Sequence, residues 1–288
     1  MKSIRGKQAL ITGAASGIGR AIAIALAREG ADLYLLDVDK AGLDDVVAEV
    51  TALKVKAVGR VCDLTQPKAI SEAVREMLAC WLHVDILINN AGVAFYGPTH
   101  KMTAEQWDWL LSINLHAPIQ LTRELLPMMM ERPEAHILNV CSIAGLVAGG
   151  RFAAYHVSKF GMVGFSEALR AEYGRKGLGV TALCPGPVRT KLYKSAQSGR
   201  DSKPVPEPPR WICTTEEAVA KKAIKAIRKN QRMVLLTPLA HVLYQTKRFA
   251  PWFLDLLNHM GRKKKKPAQP QTAGKLTPGT QPPNKRAA

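Results

Sequence analysis

Ala9-Leu10-Ile11-Thr12-Gly13-Ala14-Ala15-Ser16-Gly17-Ile18-Gly19 is an apolar run that turns into a glycine-rich loop. Ala9 to Ile11 reads as a short buried strand. An amphipathic helix follows from Ala21 to Arg28, then a second strand from Leu33 to Leu36. Strand, glycine turn, helix and strand is the βαβ order in which such a turn binds a dinucleotide. Glycine lets backbone N–H groups approach a pyrophosphate, and the helix N-terminus adds partial positive charge. Gly13, Ser16, Gly17, Ile18 and Gly19 are therefore the candidate phosphate-binding residues. A glycine turn alone is a weak signal, because ordinary turns need glycine too. Its place between this strand and this helix gives it weight.

Asp37 closes the second strand, eighteen residues after Gly19. A carboxylate there can accept hydrogen bonds from an adenosine ribose and would repel a 2′-phosphate. Position 38 is Val, so no Arg or Lys stands beside it to welcome that phosphate. The register favours NAD(H) over NADP(H) as cofactor.

Much further along, Tyr155-His156-Val157-Ser158-Lys159 sets a phenol and an ammonium four residues apart. On a helix the two share a face, about one turn apart. A nearby ammonium favours the phenolate; moving a phenol from about 10 to about 7 takes roughly 4 kcal/mol. Such a tyrosine could exchange a proton with an alcohol or carbonyl at neutral pH. A Tyr and a Lys also meet this way by chance on many helices. The remaining motifs decide the matter.

These motifs together resemble a classical short-chain dehydrogenase/reductase, from about Lys7 to about Pro238. The glycine turn has that family's three-residue gap between its first two glycines. Cys62-Asp63-Leu64 matches the segment that contacts the adenine ring, with Asp63 and Leu64 as contacts. Asn89-Asn90-Ala91-Gly92, after the strand Asp85 to Ile88, matches the motif flanking the cofactor. Asn114 fits the catalytic asparagine. Ser142, thirteen residues before Tyr155, fits the catalytic serine after the strand Ile137 to Val140. Pro185-Gly186-Pro187-Val188-Arg189-Thr190 resembles the nicotinamide loop, where Val188 and Thr190 would contact the carboxamide. Seven motifs in the right order make coincidence implausible.

The resemblance implies roles as well as a fold. Tyr155 would be the general acid/base at the substrate oxygen, and Lys159 would lower its pKa and bind the nicotinamide ribose. Ser142 would stabilise charge developing on the substrate oxygen. Asn114 would hold a water that links Lys159 to solvent. The hydride chemistry belongs to the cofactor. The expected activity is interconversion of a secondary alcohol and a ketone. A 3-oxoacyl thioester reductase is an alternative that Asp37 disfavours. A non-catalytic nucleotide-sensing protein of the same fold is another, against which the intact set Asn114, Ser142, Tyr155 and Lys159 speaks. The resemblance also implies a homodimer or homotetramer, through helices near Trp107 to Leu125 and Tyr155 to Tyr173.

At 288 residues the chain can bury one substantial core. Alternating strands and helices predict an α/β fold, a doubly wound parallel sheet with helices on both faces. The expected division is a catalytic domain over 1–238, an amphipathic helical extension over 239–260 and a basic disordered tail over 261–288. No apolar run approaches the length of a membrane span, and no signal-peptide pattern precedes the first strand. A cytoplasmic protein is expected. Cys62, Cys80, Cys141, Cys184 and Cys213 form no CxxC pair and read as buried free thiols. His83, His100, His116 and His136 have no metal-ligand spacing, and no metal is expected. His156, next to Tyr155, is expected on another helix face.

Two regions are less legible. Between 190 and 213 the proline density of Pro204 to Pro209 predicts a long, flexible loop over the substrate. Thr214 to Glu217 reads as a capping box opening a basic helix that ends near Asn230. A last strand is expected over Met233 to Thr237. Val93, Phe95, Tyr96, Ala144, Leu146, Phe152 and Tyr193 are candidate pocket walls, and their apolar character points to a lipophilic alcohol or ketone.

Beyond Pro238, apolar residues recur near helical period with a break expected at Pro251. Arg262-Lys263-Lys264-Lys265-Lys266 then begins a tail without acidic residues, which holds eight of the chain's net eighteen positive charges. The extension could cap the pocket or a subunit interface. It could instead lie in a membrane interface with the basic cluster on anionic lipid. Nucleic-acid binding is the weakest reading, because no groove-fitting element accompanies the lysines.

Overall fold

The computed structural model describes residues 1–190, 192–198 and 205–260. The expected tail over 261–288, Lys191 and residues 199–204 of the expected loop lie outside the described residues. Strands run β1 Gln8–Thr12, β2 Asp32–Asp37, β3 Ala57–Val61, β4 Ile86–Asn89, β5 Phe95–Tyr96, β6 Ala135–Val140, β7 Leu178–Cys184, β8 Gln197–Ser198 and β9 Met233–Leu235. Helices are α1 Gly17–Arg28, α2 Lys40–Thr51, α3 Pro67–Cys80, α4 Ala104–Leu111, α5 Ala117–Met130, α6 Ala153–Tyr173 and α7 Leu192–Ser195. They continue with α8 Glu216–Arg228, α9 Pro238–Phe249 and α10 Pro251–Met260. Seven strands form one parallel sheet in the order β3-β2-β1-β4-β6-β7-β9. The α/β doubly wound sheet read from the sequence is the one observed.

A parallel sheet covered on both faces explains the continuous apolar runs. Ile11, Leu33, Leu35 and Ile88 face α1, α2 and α8. Their strand neighbours Leu10, Tyr34, Leu36 and Leu87 point the opposite way, against Met77 of α3 and Leu121 and Leu125 of α5. The chain moves outward from β1 to β3, then returns to lay β4 on the other side of β1. This reversal opens a crevice at the carboxyl ends of β1 and β4, where ligands bind in such sheets.

Two boundaries differ from the sequence reading. Thr215, not Thr214, caps α8, accepting from the Ala218 N–H. Thr214 is committed elsewhere: its N–H donates to the Pro187 carbonyl at 2.9 Å. Strand β9 stops at Leu235, because Thr237 caps α9 through the Ala240 N–H and Pro238 starts that helix. The described parts of the expected loop hold α7, a helical turn at Arg210–Ile212, and β8 paired with β5.

Helix α9 packs with its cation inward. Buried Ala240 and half-buried Tyr244 face the body of the protein, Tyr244 beside Met162 and Cys184. Lys247 donates to the Leu146 carbonyl at 2.6 Å and lies 4.3 Å from the Phe160 ring centre.

Candidate active site

The glycine turn is shaped by close approach. Gly13 and Gly17 have φ of +64° and +60°, the left-handed region that glycine enters without strain. A Cβ on Gly13 would lie 2.8 Å from the Ala91 Cα and 2.9 Å from the Asn90 Nδ2. Asn90 ties the turn to the end of β4, donating from Nδ2 to the Thr12 and Gly13 carbonyls at 2.9 and 3.0 Å. Ser16 is the N-cap of α1 and makes no side-chain cap bond among the described residues. The first N–H groups of that helix, at Gly17 and Ile18, therefore stay available to an anion.

Asp37 reaches across from the end of β2. Its Oδ2 accepts from the Ala15 N–H at 2.9 Å, and its Oδ1 from Val38 at 2.8 Å and Asp39 at 3.1 Å. The carboxylate is thus fixed beside the turn. Gly13, Ser16, Gly17, Ile18, Asp37, Asp63, Leu64, Asn90, Ala91, Gly92, Pro185, Gly186, Val188 and Thr190 all line one cavity of about 410 Å³. Gly19 does not. A Cβ there would overlap the Gly13 carbonyl oxygen, so Gly19 permits helix α1 to pack on its own entry strand.

Ser142, Tyr155 and Lys159 stand on the wall of the same cavity. Ser142 follows β6 and caps a short turn, its Oγ accepting from the Ala144 N–H at 3.1 Å. Its hydroxyl acts to lower the pKa of the Tyr155 phenol. Lys159 is buried and donates to the Val140 carbonyl at 2.8 Å. Its Nζ lies 5.7 Å from the Tyr155 ring centre.

The expected lowering of the Tyr155 pKa is not what the chain alone produces. Burial pushes the phenol above its ordinary 10, the Ser142 hydroxyl pulls it back in part, and Tyr193 and Cys141 add to the rise. The Lys159 ammonium meanwhile donates to the Val140 carbonyl. Burial also pushes Lys159 down, with Cys141 and Cys184 opposing. At neutral pH the phenol is protonated.

Asn114 sits behind the wall rather than on it. It occupies a π-helical turn, Ser112–His116, that joins α4 to α5. Its Oδ1 accepts from the Val93 N–H at 2.8 Å, and its Nδ2 donates to the Val93 carbonyl at 2.9 Å and the Ser158 Oγ at 3.2 Å. The amide fastens the segment after Gly92 to helix α6.

Of the candidate substrate wall, Val93, Ala144, Phe152 and Tyr193 line the cavity, joined by Ile143 and Leu192. Phe95, Tyr96 and Leu146 are not on it. Phe95 is buried against Leu110 and Ala154, Tyr96 stacks on Phe152 at 4.9 Å, and Leu146 packs on Met162 and Val163.

His156 corrects the sequence reading, for it faces the cavity. Its Nε2 accepts from the Gly149 N–H at 2.9 Å, which leaves Nδ1 to donate to the Ala144 carbonyl at 2.8 Å. One ring thus closes the loop between Ala144 and Gly149 beside the tyrosine. No spacing in the sequence signals this, since the loop must first fold back onto α6.

The short chain dehydrogenase family matches over residues 7–201, and the chain belongs to that family. Among relatives, D-threitol dehydrogenase of Mycolicibacterium smegmatis is 37% identical over 194 residues, covering 67% of this chain and 75% of its own. A short-chain dehydrogenase/reductase from Burkholderia phymatum, solved with NAD, superimposes with a TM-score of 0.78 at 26% identity, over 93% of this chain and 100% of its own. A Sphingobium yanoikuyae short-chain dehydrogenase, solved with NADPH, gives 0.74 at 27% identity, over 91% and 98%. The protein is thus an oxidoreductase on a Rossmann-type sheet, with a nicotinamide dinucleotide as its cofactor class. The glycine cradle, the open N-terminus of α1 and the fixed Asp37 carboxylate fit such a group.

Proposed function

We propose that the protein is an NAD(H)-dependent enzyme that interconverts a secondary alcohol and a ketone on a mainly apolar substrate. The observation that carries this reading is one cavity shared by Ser142, Tyr155 and Lys159 at one end and Asp37 with the glycine turn at the other. Gly13, Ser16, Gly17 and Ile18 would hold the pyrophosphate, and Asp37 the adenosine ribose, with Asp63 and Leu64 beside the adenine. Asn90, Ala91, Gly92, Pro185, Gly186, Val188 and Thr190 would flank the nicotinamide half, with Lys159 and Tyr155 at its ribose. When bound, the dinucleotide accepts or supplies the hydride.

The chain's own task is the proton. In reduction, Tyr155 gives its phenolic proton to the substrate oxygen while the Ser142 hydroxyl donates to the same oxygen as charge builds on it. In oxidation, the alcohol proton passes to the Tyr155 oxygen, which must first be deprotonated. The raised phenol therefore favours reduction at neutral pH and makes oxidation climb toward alkaline pH. Val93, Ile143, Ala144, Phe152 and Leu192 supply apolar wall, which supports a lipophilic substrate. Half-exposed Val157 on α6 supports pairing of two copies through that helix.

Titration with NADH and NADPH, read by nicotinamide fluorescence, tests the cofactor reading. The expected result is NADH at least about tenfold tighter, since Asp37 repels a 2′-phosphate. Equal or tighter NADPH would remove the Asp37 argument. For the chemistry, Tyr155→Phe is expected to keep NADH binding and lose turnover of lipophilic ketones. A variant that turns over normally would end the acid/base assignment.

A further inference from the structure

The C-terminal helices present an apolar face that the fold leaves uncovered. Leu239, Val242 and Phe249 lie on the outer side of α9, opposite buried Ala240 and the inward Lys247. The stripe continues into α10, where Trp252, Phe253 and Leu256 are exposed. Phe249 and Trp252 are the most open of these, at 76% and 67%. Within α10, positions 252, 253 and 256 follow the i, i+1, i+4 spacing of one helix side, and Phe249 closes α9 just before the break at Ala250. Trp252 and Phe253 meet edge to face at 6.0 Å. Trp252 is the more open of the two rings.

We infer that this face is a docking surface for an anionic lipid bilayer, with Phe249, Trp252, Phe253 and Leu256 entering the headgroup boundary. The occupant follows from charge. Arg248 lies beside Phe249, and two positions beyond α10 the sequence runs Arg262-Lys263-Lys264-Lys265-Lys266. The whole chain carries a net charge of +18, with 41 basic against 23 acidic residues. Aromatic and aliphatic side chains on one face with adjacent cations are what an interfacial helix needs. A second copy seated on the same face would bring together two chains that each carry a net charge of +18, which opposes association. An anionic surface is attracted by the same charges. Among the described residues no helix is long and apolar enough to cross a membrane, so the contact is peripheral. The inference does not depend on the cofactor or substrate assigned above.

The test is flotation of the full chain with vesicles of phosphatidylcholine alone or mixed with phosphatidylglycerol. The wild type is expected to float with the anionic vesicles at least about tenfold more than with neutral ones, and less as salt rises. Trp252→Ser with Phe253→Ser should cut that partition at least about tenfold, with the sedimentation coefficient and thermal melt unchanged. Trp252→Phe provides a milder control. Quenching of tryptophan emission by brominated anionic lipid should be present in the wild type and largely lost in this variant. Failure to float, undiminished flotation of the aromatic double variant, or quenching unaffected by Trp252→Phe would each overturn the inference. So would a change of oligomeric state in the double variant, which would make the face a contact between copies.

Discussion

Acidification should weaken this fold through His136, and the size of the effect can be worked out. The ring is fully buried on β6, where its Nε2 lies 2.9 Å from the Thr181 Oγ1. Thr181 gives its own proton to the Gln231 carbonyl at 2.5 Å, so Nε2 carries the hydrogen and donates to Thr181. Burial pushes the ring from 6.5 down to about 3, with the chain's amino terminus and Arg170 adding to the effect. A depressed histidine is neutral in the folded state, while the unfolded chain takes up a proton as pH falls through about 6.5. The stabilisation is therefore complete above about pH 6.5 and shrinks until about pH 3. Each pH unit inside that window is worth about 1.4 kcal/mol, so moving from about pH 7 to about pH 5 should cost about 2 kcal/mol. Urea unfolding at several pH values, for the wild type and His136→Gln, isolates this contribution. The variant keeps an N–H toward Thr181 and removes the titrating ring. The wild type should lose stability more steeply by about 1.4 kcal/mol per unit. Parallel pH dependences for the two proteins would refute the reasoning.

Two further outcomes can be checked directly. Gly19→Ala would drive its Cβ into the Gly13 carbonyl and within 2.5 Å of the Asn90 Nδ2, both held in hydrogen bonds or backbone. A loss of about 3 kcal/mol is expected, seen as a melting temperature lower by about 10 °C, and an unchanged melt would show that α1 can shift away. His156→Phe would leave the Ala144 carbonyl and the Gly149 N–H without their ring partners, at about 1 kcal/mol each. Its kcat/KM should fall at least about tenfold while NADH affinity stays within about twofold; an intact kcat/KM would reduce the ring to filler.

The order of elements was legible in the sequence because each leaves a local signature. Buried parallel strands show as short apolar runs, and helices show their period. The glycine turn and the Tyr155–Lys159 spacing also survive without tertiary information, since each needs only its own helix or turn. What depended on the assembled fold was not legible. The electrostatics of Tyr155 are set by burial and by Ser142, Tyr193 and Cys141 around it, and none of these is written in the Tyr155–Lys159 spacing. Asn114 could be singled out, yet its amide turns to Val93 and Ser158, which a linear reading cannot pair with it. Apolar Phe95 and Leu146 were misread as pocket wall because apolarity does not say which side of a strand or turn a residue faces. Thr214 bridges Val188 while Thr215 caps α8, a division that adjacent threonines in the sequence do not reveal.

Lys247 bears on how the protein can be handled at the bench. The family model ends at residue 201, short of both C-terminal helices. Yet the Lys247 ammonium reaches back 101 residues to the Leu146 carbonyl, four positions after Ser142, and covers the Phe160 ring next to Lys159. A protein shortened at Pro238 would lose that brace and expose the outer face of the loop that carries the serine. Trimming for crystallisation, or the attachment of a fusion partner, belongs after Met260.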